Sequence, residues 1–223
     1  DIQDFIKAIG TPSERPAPQE GQAAAIRGRN RLQEGVGMGS EKRRWPWAEA
    51  NAVATELLGT MSPHCHATYA AIAGSLRRGK PDVGDIELVL VPTPWGGFDQ
   101  LLQLMMGSGE LVKRKNGKGA YTYGPLNKLM VHRTGIQVDI FTATKANWGM
   151  GLMVRTGDKD FNIAVMAKLK QLGHKGHAYG GITLNVNDLR HEDIDCPDEE
   201  IIFQILGIPF VPPEKRDGNV LYS

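Results

Sequence analysis

Apolar residues recur at helical spacing first at Ala50, Val53, Ala54, Leu57 and Leu58, with Pro46 suited to the opening turn and Gly59 to the end, so a helix is expected there. The run at 67–73 is apolar and strand-length, and Gly74-Ser75 closes it ahead of a polar loop at 76–84. Over 85–91 the pattern alternates. Ile86, Leu88 and Leu90 share one face of a strand while Asp85, Glu87 and Val89 share the other, which aims both carboxylates the same way. A helix is predicted at 98–106, then a hairpin turning at Asn116-Gly117, then a second hairpin of 127–133 and 136–142 broken at Thr134-Gly135. Beyond Trp148 the period lengthens: 149–154 and 161–172 read as helices, 181–186 as short strands or loops, and 198–206 as a helix opened by Pro197 and closed by Gly207. Strands dominate before residue 148 and helices after it. The expectation is an α+β fold with an irregular arm at 1–44, one helix within it at 22–34, a sheet-bearing domain at 45–148 and a smaller domain at 149–223.

Composition changes this picture little. The 223 residues are 41% hydrophobic, enough to bury a core, and no stretch approaches the roughly 18 apolar residues of a membrane span. The first residues lack the basic and apolar regions of a secretion signal, so a soluble, intracellular and cytoplasmic protein is expected. Cys65 and Cys196 form neither a disulfide framework nor a zinc spacing and are read as reduced. His64-Cys65-His66 and the pair His174 and His177 lack a set of four ligands and are read as loop or surface. A net charge of +1 neither requires nor excludes a nucleic-acid partner. Charge is clustered, however. Between Gly107 and Val138, Lys113, Arg114, Lys115, Lys118, Lys128 and Arg133 face one acid, Glu110.

The chemistry concentrates around the alternating strand. Asp-x-Glu alone is ordinary on a solvated sheet face, but here a loop carrying Gly74, Ser75, Arg77, Arg78, Gly79, Lys80 and Gly84 runs directly into Asp85. Glycines let backbone N–H groups close on phosphate oxygens, and serine and arginine add donors, so a triphosphate cradle is expected beside a carboxylate pair. Asp139 supplies a third acid inside the apolar run Val138-Asp139-Ile140-Phe141, where an unpaired charge is unfavourable. Three carboxylates plus substrate phosphates are the oxygen donors magnesium takes.

These residues carry a family resemblance. Gly74-Ser75-Leu76-Arg77-Arg78-Gly79 followed by Gly84-Asp85-Ile86-Glu87 resembles the nucleotidyltransferase signature of the polymerase X family. The segment Arg155-Thr156-Gly157-Asp158-Lys159-Asp160-Phe161-Asn162 is similar to that family's thumb, and Ile208-Pro209-Phe210-Val211-Pro212-Pro213-Glu214-Lys215-Arg216 to the tail that closes it. The resemblance implies a nucleotidyltransferase palm joined to a small thumb, acting as a monomer on a DNA primer-template. Such an enzyme adds dNMP from a dNTP to a primer 3′-hydroxyl with two ions of Mg2+ or Mn2+. It further implies that Asp85 and Glu87 bind both metals and Asp139 the catalytic one. Gly74, Ser75, Arg78 and Gly84 would hold the triphosphate, Gly157 and Asn162 would shape the nucleotide pocket, and Lys113, Arg114, Lys115 and Lys118 would meet DNA. The chain departs from the family in having Glu87 in place of Asp, Val154-Arg155 in place of two aromatic residues, Ile163 and Met166 in place of basic ones, and Gln137 in place of arginine. Arg155, Ile163 and Met166 motivate an alternative acceptor, as in a template-independent terminal transferase or an enzyme acting on RNA or a small molecule. A third reading is an idle nucleic-acid-binding module. The arm at 1–44 is too short for a lyase domain, and no lyase activity is expected.

Overall fold

The computed structural model describes residues 43–177, 179–186 and 190–216. The arm expected at 1–44, with its helix at 22–34, lies outside the described residues apart from Arg43 and Arg44. Strand β1 (Trp45–Pro46) leads into helix α1 (Trp47–Met61), which buries Ala50, Ala54, Leu57 and Met61. The helix runs past Gly59, where the sequence placed its end. Full burial of Met61 outweighs the roughly 1 kcal/mol penalty of an interior glycine.

Strand β2 (Cys65–Ile72) carries an irregularity between Cys65 and Ala70 and is followed by α2 (Gly74–Arg77), a single helical turn where a loop was expected. Strand β3 (Asp82–Val83) pairs with β1, and β4 (Asp85–Pro92) follows at once. Next come α3 (Phe98–Gly107), β5 (Leu111–Lys113), β6 (Asn127–His132) and β7 (Gln137–Thr142). The turn signal at Asn116 holds. Its side-chain oxygen accepts from Lys118 N and Ala120 N, and the turn closes an antiparallel bridge between Lys115 and Tyr121 within the longer excursion between β5 and β6. The resulting sheet has the order β2-β4-β7-β6-β5 and is mixed: β4 and β7 are parallel and every other pairing is antiparallel.

One sheet face packs Ile86, Leu88, Leu90, Val138, Ile140 and Met130 against α1 and α3. The other packs Ala73, Val89, Val91 and Phe141 against Trp148 and Leu152 of α4 (Trp148–Thr156). The opposite side of α4 presents Met150 and Met153 to a second core with Phe161, Val165 and Leu169 of α5 (Lys159–Gln171). A small antiparallel sheet of β8 (His174–His177), β9 (Gly181–Val186) and β10 (Arg190–Ile194) completes that core with α6 (Glu200–Leu206). Strand β8 was not expected, because its polar, glycine-containing run lacks an alternating signal. Gly149 lets α4 meet the segment that leads into α6: its N–H donates to Cys196 O at 2.7 Å, and a Cβ there would stand 1.9 Å from Asp198 O. The architecture is α+β, a mixed sheet with flanking helices followed by a smaller helical and sheet subdomain.

Candidate active site

Alternation along β4 does what the sequence pattern requires. Ile86 and Leu88 point into the core, and Asp85 and Glu87 stand half-buried on the opposite face. Because β4 and β7 run parallel in register, Glu87 lies beside Asp139 and Asp85 beside Gln137. The three acids are therefore brought to one patch, and each of the other two acts electrostatically on Glu87.

The Gly74 turn lies directly against this patch. Ala73 N donates to Glu87 O at 2.8 Å, which lays the turn across the strand. Gly74 adopts a left-handed φ of 66°, and a Cβ there would stand 2.1 Å from Glu87 Oε2. Only glycine satisfies both demands. Bonds from Arg78 N to Gly74 O and from Lys80 N to Ser75 O wind the turn, and Gly84 sits immediately before Asp85. Trp47, which sequence reasoning passed over as a helix residue, clamps the same loop. Its indole N–H donates to Leu76 O at 3.0 Å and its backbone N–H to Pro81 O at 2.9 Å, while Arg44 Nη2 donates to Asp82 O at 2.7 Å.

The second subdomain reaches the same place through Thr156 and Gly157. Arg78 Nη1 donates to Thr156 O, and Arg77 Nη1 donates to Thr156 Oγ1 at 2.7 Å. Burial lowers the Arg78 pKa, with the charges of Asp158 and Glu87 acting the other way. Gly157 ends α4 with a left-handed φ of 69°, and its peptide bond to Asp158 is cis. Asp158 then caps α5, its Oδ1 accepting from Phe161 N at 3.0 Å. Asn162 on that helix donates from Nδ2 to Val154 O at 2.8 Å and leaves Oδ1 buried without a hydrogen-bond partner. Arg155 lies 3.8 Å over the Phe141 ring and donates to the Tyr179 hydroxyl at 2.7 Å.

Glu199 joins the bodies more firmly. Its carboxylate accepts from Arg77 Nη2 at 2.6 Å and from Arg216 Nη1 at 2.7 Å. Burial acts to raise its pKa, but the two arginine bonds outweigh that and hold it below the ordinary carboxylate range. Sequence reading missed this ion triad because its members stand 122 and 17 residues apart. Of the basic residues expected at DNA, Lys113, Lys115 and Lys118 are exposed, and the first two lie near the rings of Tyr123 and Tyr121. Arg114 differs from them. It turns inward and forms an ion pair with Asp139.

Burial, followed by the charges of Asp85 and Asp139, raises the Glu87 pKa to about 7, against the opposing pull of Arg155 and Arg78. The all-oxygen donors of such a carboxylate cluster suit a hard divalent cation. Among the described residues no three acidic, histidine or cysteine side chains stand close enough to form a ready cage. Glu87, raised from 4.5 to about 7, keeps its proton across a window where the unfolded chain has lost it. Its contribution to stability therefore falls as pH rises through that window and stays lost above it. Glu87→Gln removes the penalty. In thermal melts with a chelator it is expected to stabilise the chain by about 1–3 kcal/mol at pH 8, with a smaller gain at pH 5. No gain at pH 8 would contradict this account of the site.

Comparison with known proteins agrees with the geometry. Residues 151–217 match the family model of the DNA polymerase beta thumb. The chain is 26% identical over 184 residues to the DNA polymerase/3'-5' exonuclease PolX of Bacillus subtilis (strain 168), covering 81% of this chain and 30% of that protein. It is 26% identical over 160 residues to DNA polymerase lambda of Rattus norvegicus, covering 65% of this chain and 28% of the relative. It thus spans less than a third of either relative. An acid-bearing mixed sheet with a glycine turn against it is thus followed in the chain by a segment similar to the DNA polymerase beta thumb, and the chain as a whole is distantly similar to these two DNA polymerases.

Proposed function

We propose that the chain is a DNA polymerase that transfers dNMP from a dNTP to the 3′-hydroxyl of a DNA primer and releases pyrophosphate. The observation that carries this reading is the parallel register of Glu87 and Asp139 beneath the Gly74 turn. In this reading Asp85 and Glu87 hold two divalent cations, Mg2+ or Mn2+, and Asp139 holds the catalytic one. Cations held by these residues would lower the pKa of the 3′-hydroxyl and offset charge on the leaving group. The 3′-oxygen bonds to the α-phosphorus as the bond from that phosphorus to pyrophosphate breaks. Gly74, Ser75, Arg78 and Gly84 grip the triphosphate, so that the leaving group stays in line with the attacking oxygen. Gly157 and Asn162 bound the sugar and base edge, with the buried Asn162 oxygen supplying an acceptor. Lys113, Lys115 and Lys118 meet phosphates of the DNA strands.

The reading takes the enzyme to be a monomer acting on intracellular DNA. No helix among the described residues is long and apolar enough to cross a membrane. A second acceptor class is favoured by one feature. Ile163, 57% exposed on α5, offers an apolar surface close in sequence to Asn162, where a template base would otherwise meet a basic residue. That feature suits template-independent addition, or transfer to RNA or a small molecule.

The test is primer extension by the full chain on a gapped duplex and on a single strand, with each dNTP and Mg2+ or Mn2+, reading product length and pyrophosphate. Template-directed, chelator-sensitive extension of the gapped duplex is expected. Equal extension of the single strand with any dNTP would favour the terminal-transferase reading, and no pyrophosphate under any condition would overturn both.

A further inference from the structure

Register places four residues in one row across the acid-bearing sheet face. Arg114 N bonds Leu129 O, Leu129 is the partner of Asp139, and Asp139 is the partner of Glu87. Arg114 reaches over Leu129 to pair with Asp139. The two side chains are mostly buried but keep 18% and 15% of their surface exposed, so solvent still reaches the pair. Two other arginines act on the acid patch, and both are anchored elsewhere: Arg78 on the Thr156 carbonyl, Arg155 on the Phe141 ring and the Tyr179 hydroxyl. The guanidinium of Arg114 bonds Asp139, and its Nε is buried without a partner. Its chain neighbours Lys113 and Lys115 are exposed.

A guanidinium and a divalent cation compete for the same carboxylate oxygens. While the pair persists Arg114 holds Asp139 Oδ1, and the apparent affinity of Asp139 for a cation is reduced by the fraction of time that oxygen is taken. A phosphodiester, whose two non-bridging oxygens can accept both arms of the planar guanidinium, is the other acceptor that suits arginine, and a strand held by Lys113 and Lys115 would bring one within reach.

We propose that Arg114 is a positioning residue that couples the two ligands: it holds Asp139 while DNA is absent and moves to a strand phosphodiester when DNA binds, opening Asp139 to the cation. The inference rests on the metal-binding reading of the acids given above. Coupling of this kind is reciprocal, so the cation tightens DNA binding by the same factor.

The experiment is a Mn2+ titration of the full chain, reading free Mn2+ by its electron paramagnetic resonance signal. It is done with and without a primed duplex ending in a dideoxynucleotide, with no dNTP present and the binding of DNA alone subtracted. Wild type is expected to bind Mn2+ about five- to tenfold tighter with DNA than without. Arg114→Gln is expected to show that tighter binding already without DNA and no further gain with it. Arg114→Lys keeps the charge but not the fork, and is expected to show a smaller gain than wild type; it serves if the glutamine variant does not fold. Should both variants keep the wild-type gain, or Arg114→Gln bind Mn2+ no tighter than wild type without DNA, the proposal is overturned. Asp139→Asn separates the two levels. If it binds Mn2+ as wild type does, the metal-binding reading itself fails, whatever Arg114 does.

Discussion

Asp139→Asn is expected to slow nucleotide incorporation by at least about a thousandfold, equivalent to about 4 kcal/mol in the barrier. The substitution is close to isosteric. An amide oxygen still accepts from Arg114, and the backbone pairing of Asp139 with Leu129 and Glu87 does not involve the side chain. What is lost is the negative charge, and with it, on the proposed reading, the ability to hold a catalytic cation that would lower the pKa of the primer hydroxyl. Thermal stability is expected to stay within a few degrees of wild type, and DNA binding to persist. Single-turnover extension with saturating Mg2+ or Mn2+ measures the effect. A variant keeping more than a tenth of the wild-type rate would remove Asp139 from the catalytic set.

Glu199→Ala is expected to destabilise the chain by about 3–5 kcal/mol, the range for breaking a buried ion pair by removing one partner. The Arg216 side chain is fully buried, with its guanidinium about 5.5 Å from the ring centres of Phe161, Phe203 and Phe210. Without Glu199 it keeps a bond to Val211 O, 3.0 Å long, but no counter-charge. Arg77 loses its carboxylate as well, which loosens the turn beside Gly74. The carboxyl titrates below its ordinary range. Its contribution is therefore fully present above the ordinary carboxylate pKa and lost only as pH falls through the depressed folded value. Urea unfolding at pH 7 and again under more acidic conditions should show the gap between variant and wild type narrowing with acid. A difference below about 1 kcal/mol at pH 7 would mean that solvent reaches the arginines despite their burial.

Asp85, Glu87 and Asp139 were readable in the sequence because a strand has a period of two, so carboxylates interrupting an apolar alternation declare their face. The Gly74-Ser75 turn was readable because glycine punctuates a strand end, although the helical turn that follows it was not: four residues are too few to show a period. Arg114 illustrates the limit. Its sequence neighbours Lys113 and Lys115 gave a basic run, but which member folds inward is decided by its bonding to Leu129, the strand partner of Asp139. Glu199 could not be found in this way at all. It stands just before α6, where an acid is ordinary at a helix start, and its partners come from the first body and the C-terminal tail. Contacts between segments so distant carry no local signature. Trp47 was assigned correctly to a helix, yet its clamp on the loop depends on how α1 meets Leu76 and Pro81.

The two cysteines give each body its own reporter. Cys65 lies in the core beneath the main sheet and Cys196 in the core of the smaller subdomain, and burial pushes the two thiols up to about 11 and about 12. Neither presents appreciable thiolate at neutral pH while folded, so alkylation must wait for local or global opening. The rates at which the two sites are trapped by a thiol reagent thus read separately how often each half of the molecule breathes, and whether they open as one.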